Sequence, residues 1–172
     1  IPAYELVSSS LKNWRGMSES GGRRIQRALF IDIQTIRFLS TEQIQELQAI
    51  KLLRPYLENK LHEIEYYNQK ELTPEDYDVL ANGHHLTNLI VFRAYCEAYL
   101  KSLPSINQNM TILVRQLQTG PEGQPIEIYA FSKETETVPY EILQSDIFDH
   151  LIAVIPLFGL HLYQRPCGTP QK

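Results

Sequence analysis

The feature that most constrains this chain is the order in which its apolar residues change period. From Arg24 to Ile33 the period is two, with Ile25, Leu29, Ile31 and Ile33 on one side and Arg24, Gln26 and Asp32 on the other. That pattern predicts a strand. Helical spacing follows. Ser40-Thr41-Glu42-Gln43 reads as a capping box, and Pro55 breaks the first helix and restarts a second over about residues 55–68, with Leu57, Leu61 and Ile64 on one side. Thr73-Pro74-Glu75-Asp76 predicts a short helix ending near Asn82-Gly83. Leu89, Phe92, Cys96, Tyr99 and Leu103 predict another over about residues 86–103. Strands are expected over residues 111–117 and 125–132, joined by the turn-rich run Thr119-Gly120-Pro121-Glu122-Gly123. A helix from Pro139 to Phe158, a left-handed stop at Gly159 and a last short strand over 160–163 complete the order.

Strand, helix, extra helices, strand, strand, helix, strand is an α+β chain. It predicts a ferredoxin-like split βαβ sheet with a helical segment, about residues 55–108, inserted after the first helix. Both crossover helices would then cover one face of the sheet. The other face would be wet or covered by a partner.

At 172 residues, 43% hydrophobic and 21% charged, the chain has the size and composition of one globular domain, with room for a fragment of another. A net charge of −4 argues against a nucleic-acid partner. Phe30, Tyr129 and Phe131 on expected strands invite comparison with RNA-binding sheets, but the basic-Gly-aromatic word of such sheets is missing from the 125–132 strand. Cys96 and Cys167 are far apart and form no CxxC, which fits a reducing compartment. Leu151 to Leu162 is too short for a bilayer and is interrupted by Pro156 and Gly159.

The front of the chain is unlike the rest. Ile1-Pro2, Leu6-Val7-Ser8-Ser9-Ser10, Asn13-Trp14-Arg15-Gly16-Met17 and Ser20-Gly21-Gly22-Arg23-Arg24 follow in quick succession, with the sole tryptophan among them. The opening on Ile1 predicts the end of a longer protein. This stretch resembles the small-conductance mechanosensitive channel family, in particular its miniconductance branch. Matching runs recur in order at Ile112–Leu117, Glu127–Ser132 and Tyr140–His150, so the resemblance spans nearly the whole chain.

The resemblance implies a cytoplasmic, carboxy-terminal portion of a ring-shaped homo-oligomer, a heptamer by family likeness. Residues 1–18 would be the last strands of a small middle β-domain, 19–164 the α+β domain with its insertion, and 165–172 a tail. The full-length protein would sit in the cell inner membrane, anchored by a preceding part, and open under membrane tension during hypo-osmotic stress. This region would face the cytoplasm and carry out no chemistry. A reading of another class is a soluble regulatory module that binds a small ligand on the uncovered sheet face.

Several residue groups are candidates for a site. The basic cluster Lys12, Arg15, Arg23, Arg24 and Arg27 could meet phosphates, anionic lipid or permeating anions, or form ion pairs between domains or subunits, for example with Glu5 and Glu19. Trp14 reads as a packed anchor at such a junction, so Trp14, Arg15, Arg23 and Arg24 form the expected interface. His84-His85 with His62 lacks metal-ligand spacing, and no metal or other cofactor is expected. Asp146, Asp149 and His150 share one expected helix, yet Asp146 and His150 are an ordinary i,i+4 pair without a nucleophile, so an enzyme is not expected.

Overall fold

The computed structural model describes residues 22–165. β1 (Arg23–Ile31) and β3 (Gln124–Ser132) are the long central strands. They pair antiparallel along their whole length, from Arg23 opposite Ser132 to Ile31 opposite Gln124. β2 (Leu113–Gln116) adds to the free edge of β3 in the order β1-β3-β2. The fold is α+β, with the helices segregated from an antiparallel sheet.

The last strand expected over 160–163 shrinks to a single bridge between Leu162 and Ile31. The Asp32 N–H donates to the His161 carbonyl and the Tyr163 N–H to the Phe30 carbonyl, both at 2.8 Å. This bridge lies on the far edge of β1. The segments therefore run 160–163, β1, β3, β2 with antiparallel neighbours, because each helical crossover skips one strand position. β1 also stops two residues earlier than its sequence pattern suggests. Asp32 accepts from the Gln34 N–H at 3.0 Å and caps a 3-10 turn over Ile33–Thr35, which turns Ile33 out to solvent.

α1 (Thr41–Leu47) opens on the predicted capping box, both halves of which form: Ser40 accepts from the Gln43 N–H, and the Gln43 side chain accepts from the Ser40 N–H. A 3-10 turn over Lys51–Leu53 leads into α2 (Arg54–Glu71), with Pro55 in the first turn, where its missing N–H costs nothing. The 73–78 segment forms a 3-10 helix, Pro74–Asp78, rather than an α-helix. α3 (Asn88–Ser102) is capped by Thr87, which accepts from the Ile90 N–H at 3.1 Å. α4 (Thr137–Val154) continues as a 3-10 turn, Ile155–Phe158, and ends at Gly159 with φ +67°. A side chain there would strain the backbone and press on Arg37 Nη2, 2.7 Å from the Cβ position.

The helix against β2 and β3 is α3, which lies inside the stretch expected as the insertion. α1, the helix expected to make the first crossover, buries only Leu47. Length explains the difference: seven residues span about 10 Å as α-helix, whereas a nine-residue strand runs about 30 Å. α3 turns Leu89, Phe92, Cys96 and Leu100 to the core at the spacing the sequence predicts, and adds Val91 and Tyr95. Its buried first residue, Asn88, donates to the Thr35 carbonyl (2.9 Å) and accepts from the Arg37 N–H (3.0 Å), tying the helix start to the loop after β1.

One hydrophobic cluster joins the helices to a single face of the sheet, the one bearing Ile25, Leu29, Ile31, Val114, Ile126, Ile128 and Ala130. Phe92 and Phe158 meet edge-to-face at 5.4 Å near its centre.

Candidate interaction surfaces

The opposite face of the sheet contributes nothing to that cluster. Strand alternation and register place Arg24, Gln26, Ala28 and Phe30 of β1 there, opposite Phe131, Tyr129, Glu127 and Pro125 of β3, with Leu113 and Arg115 of β2 alongside. Phe30 and Leu113 are 38% and 40% exposed, too open for core residues. Tyr129 and Phe131 pack edge-to-face at 5.4 Å, and Phe131 is buried at the end of the face.

In the middle of this face Glu127 accepts from Arg115 Nε at 2.5 Å and from Gln26 Nε2 at 2.7 Å. The Arg115 hydrogen bond and then that of Gln26 hold its carboxyl below the usual carboxylate range. Glu127 is itself buried although it stands on the face opposite the core cluster. Sequence analysis missed this trio. A register count outward from the Gly120–Gly123 bridge would have set Arg115 opposite Ile128, one residue off its observed partner Glu127, so the turn alone did not reveal the pair.

The expected basic interface is split by the fold. Trp14 and Arg15, with Lys12, lie outside the described residues. Arg23 and Arg27 point to the helix side, where their guanidinium groups lie over the rings of Tyr140 (4.0 Å) and Phe148 (4.3 Å) on α4. Arg23 also donates to Thr135 O and Thr137 Oγ1 at 3.4 and 3.5 Å, and the Tyr140 hydroxyl donates to the Arg24 carbonyl at 2.5 Å. Arg24 stands exposed on the bare sheet face. Arg23 is thus engaged within the domain. Arg24 is the described member of that set left open to a partner.

His84 and His85 diverge, as neighbours on irregular backbone do. The ring of His84 stacks on Tyr67 at 3.8 Å and 2°, while His85 Nε2 bonds the Asn82 carbonyl at 2.9 Å and its ring meets Phe38 edge-on at 6.0 Å. A carbonyl only accepts, so this bond puts the proton of the neutral imidazole on Nε2. Among the described residues no three His, Cys, Asp or Glu side chains gather around a point that could hold a metal ion.

His150 does not pair with Asp146. Its Nε2 shares a 2.6 Å hydrogen bond with the Tyr95 hydroxyl, and its ring stacks on Tyr99 at 4.1 Å. Burial pushes the phenols of Tyr95 and Tyr99 up, and Asp146 adds to the rise at Tyr99. These contacts tie α3 to α4. Burial also pushes the Cys96 thiol far above its ordinary value, which leaves an inert apolar side chain.

A further pocket of about 340 Å³ opens between α2, the 80–86 segment and the start of α3, with Phe38, Ile64, Leu80 and Ile90 among its walls. Asn68 of α2, itself buried, fixes one side: its Nδ2 donates to the His84 carbonyl at 2.9 Å and its Oδ1 accepts from the His84 N–H at 2.8 Å. The sequence had marked Asn68 only as the last residue of a helix.

No protein-family model matches this chain. Among the described residues no helix is long and apolar enough to cross a membrane.

Proposed function

We propose that this chain is the vestibule and assembly domain of a mechanosensitive channel, and that in the full-length protein it forms a homo-oligomeric ring, a heptamer by family likeness, on the cytoplasmic side of the inner membrane. The observation that carries the reading is the bare sheet face. The helices α1 to α4 all bury residues in the cluster on the other face, while Phe30, Leu113, Tyr129 and Arg24 stand without a cover from the core. Such a face is suited to a neighbouring subunit. The resemblance of the front run and of the 112–117, 127–132 and 140–150 stretches supplies the rest of the argument.

Tension favours whichever channel state occupies more membrane area, so the gate would belong to the membrane part. This domain would set subunit spacing and screen what reaches the pore. A small ligand on the same face fits less well, because its central carboxylate is already occupied by Arg115 and Gln26. Pressure-step patch recording of the full-length gene product in liposomes tests the proposal. Openings that scale with tension are the expected result, and silence up to membrane rupture would refute it. Cysteines placed at Phe30 and Leu113 of that protein should give an oxidation ladder of linked subunits if the sheet face lies at the subunit contact.

A further inference from the structure

The pocket beside α2 has a lip of large apolar side chains that the core does not use. Phe38 and Leu80 line it and remain 42% and 55% exposed. Tyr67, 40% exposed, stacks on His84 at its edge. Two such side chains in the lining, with a third stacked on its rim, match the centre of a protein-docking site, where an anchor side chain enters a preformed hole. The hole is preformed: Asn68 clamps both backbone groups of His84, and Gly83 holds a left-handed turn at φ +72° where a Cβ would collide with Asn68 Oδ1. A volume of about 340 Å³ suits one aromatic or large aliphatic side chain with its adjoining backbone.

Charge says what kind of chain carries that anchor. Residues 55–85 hold seven acids against two lysines, Lys60 and Lys70, a balance of −5 where the whole chain has −4. The acidic excess of the protein is therefore confined to the elements that build the pocket. Glu63 lines it, and Glu63, Tyr67 and Glu71 recur at four-residue steps along one stripe of α2. Lys60, the cation in the lining, is 3.4 Å from Glu63 and answers only that carboxylate. Such a surface repels nucleic acid and anionic lipid.

We propose that the pocket lined by Phe38 and Leu80, with Tyr67 stacked on its His84, docks a basic polypeptide segment of a partner protein, with one large apolar side chain of that segment filling the pocket and its lysines or arginines meeting the acidic stripe of α2. The site lies away from the bare sheet face and does not depend on how that face is used.

A fluorescein-labelled fifteen-residue peptide with one central tryptophan among lysine, glycine and serine, titrated with the full chain and read by anisotropy, tests this. Saturable binding with Kd on the order of 10–100 μM is expected, weakening as salt is raised through 0.3 M. Leu80→Lys should weaken it at least tenfold, with an unchanged circular dichroism spectrum because Leu80 is exposed. Replacing the peptide's tryptophan by serine, or its lysines by glutamates, should abolish saturation. The proposal is overturned by no saturation at 1 mM peptide, by equal binding of the serine peptide (charge attraction alone), or by indifference to Leu80→Lys. Self-association in sedimentation that Leu80→Lys abolishes would assign the pocket to a second copy instead, and would also overturn it.

Discussion

Asn68→Ala isolates the clamp that shapes the pocket wall. Asn68 is 6% exposed and makes two hydrogen bonds to one backbone unit, donating to the His84 carbonyl at 2.9 Å and accepting from its N–H at 2.8 Å. Two intramolecular hydrogen bonds at about 0.5–1.5 kcal/mol each amount to about 1–3 kcal/mol. His84 is exposed, so water recovers part of what its backbone loses, and the expected cost lies near about 1–2 kcal/mol. Urea denaturation followed by far-ultraviolet circular dichroism should show a lower midpoint at unchanged slope. Amide exchange at His84 should accelerate before that of the core. Asn68→Asp sharpens the test. It keeps the acceptor for the His84 N–H but sets a carboxylate against the His84 carbonyl, so the protonated form is preferred in the folded state and the carboxyl's folded pKa is raised. The variant should then be least stable at neutral pH and should recover as the pH falls toward about 4. Asn68→Ala within about 0.3 kcal/mol of the unaltered chain, with unchanged exchange at His84, would refute the clamp and with it the preformed pocket.

Two further outcomes follow from the packing and the sheet face. Phe92→Ala removes a fully buried ring in edge-to-face contact with Phe158, and should cost about 3–5 kcal/mol in the same denaturation assay. Arg115→Ala should raise the midpoint at which Glu127 titrates by NMR, because Arg115 is the first cause of its lowered value. The sign is that of a depressed carboxyl: the contribution of the Glu127 contacts is present above the unfolded carboxylate range and is lost as pH falls through the lower folded value. A midpoint that stays put in Arg115→Ala would show that the 2.5 Å contact does not govern this carboxylate.

Much of the local structure was legible because its causes are local. The Ser40–Gln43 box, Pro55 in a first turn, the Leu89–Phe92–Cys96 spacing of a core helix, and Gly159 at a left-handed stop all act within one or two turns of chain. Errors arose where tertiary partners decided. Ile33 is the exception, a miss with a local cause: it continues the strand alternation, yet Asp32 caps a 3-10 turn through the Gln34 N–H and turns it outward. The short last strand has apolar residues enough for a ladder but forms one bridge with Ile31.

By itself, then, the sequence determined the order of the main elements, the α+β class, and which residues of the long strands share a face, because period and capping depend on neighbours a few residues apart. Tertiary structure alone decided that α3 rather than α1 covers the sheet, since burial rewards the helix long enough to match the strands. It also drew Arg23 and Arg27 onto Tyr140 and Phe148 while leaving Arg24 out, and it joined Asn68 to His84 and Glu127 to Arg115 and Gln26. Each of those contacts links separate elements, most of them distant in sequence. Their energies depend on where the chain returns in space, which no local pattern records.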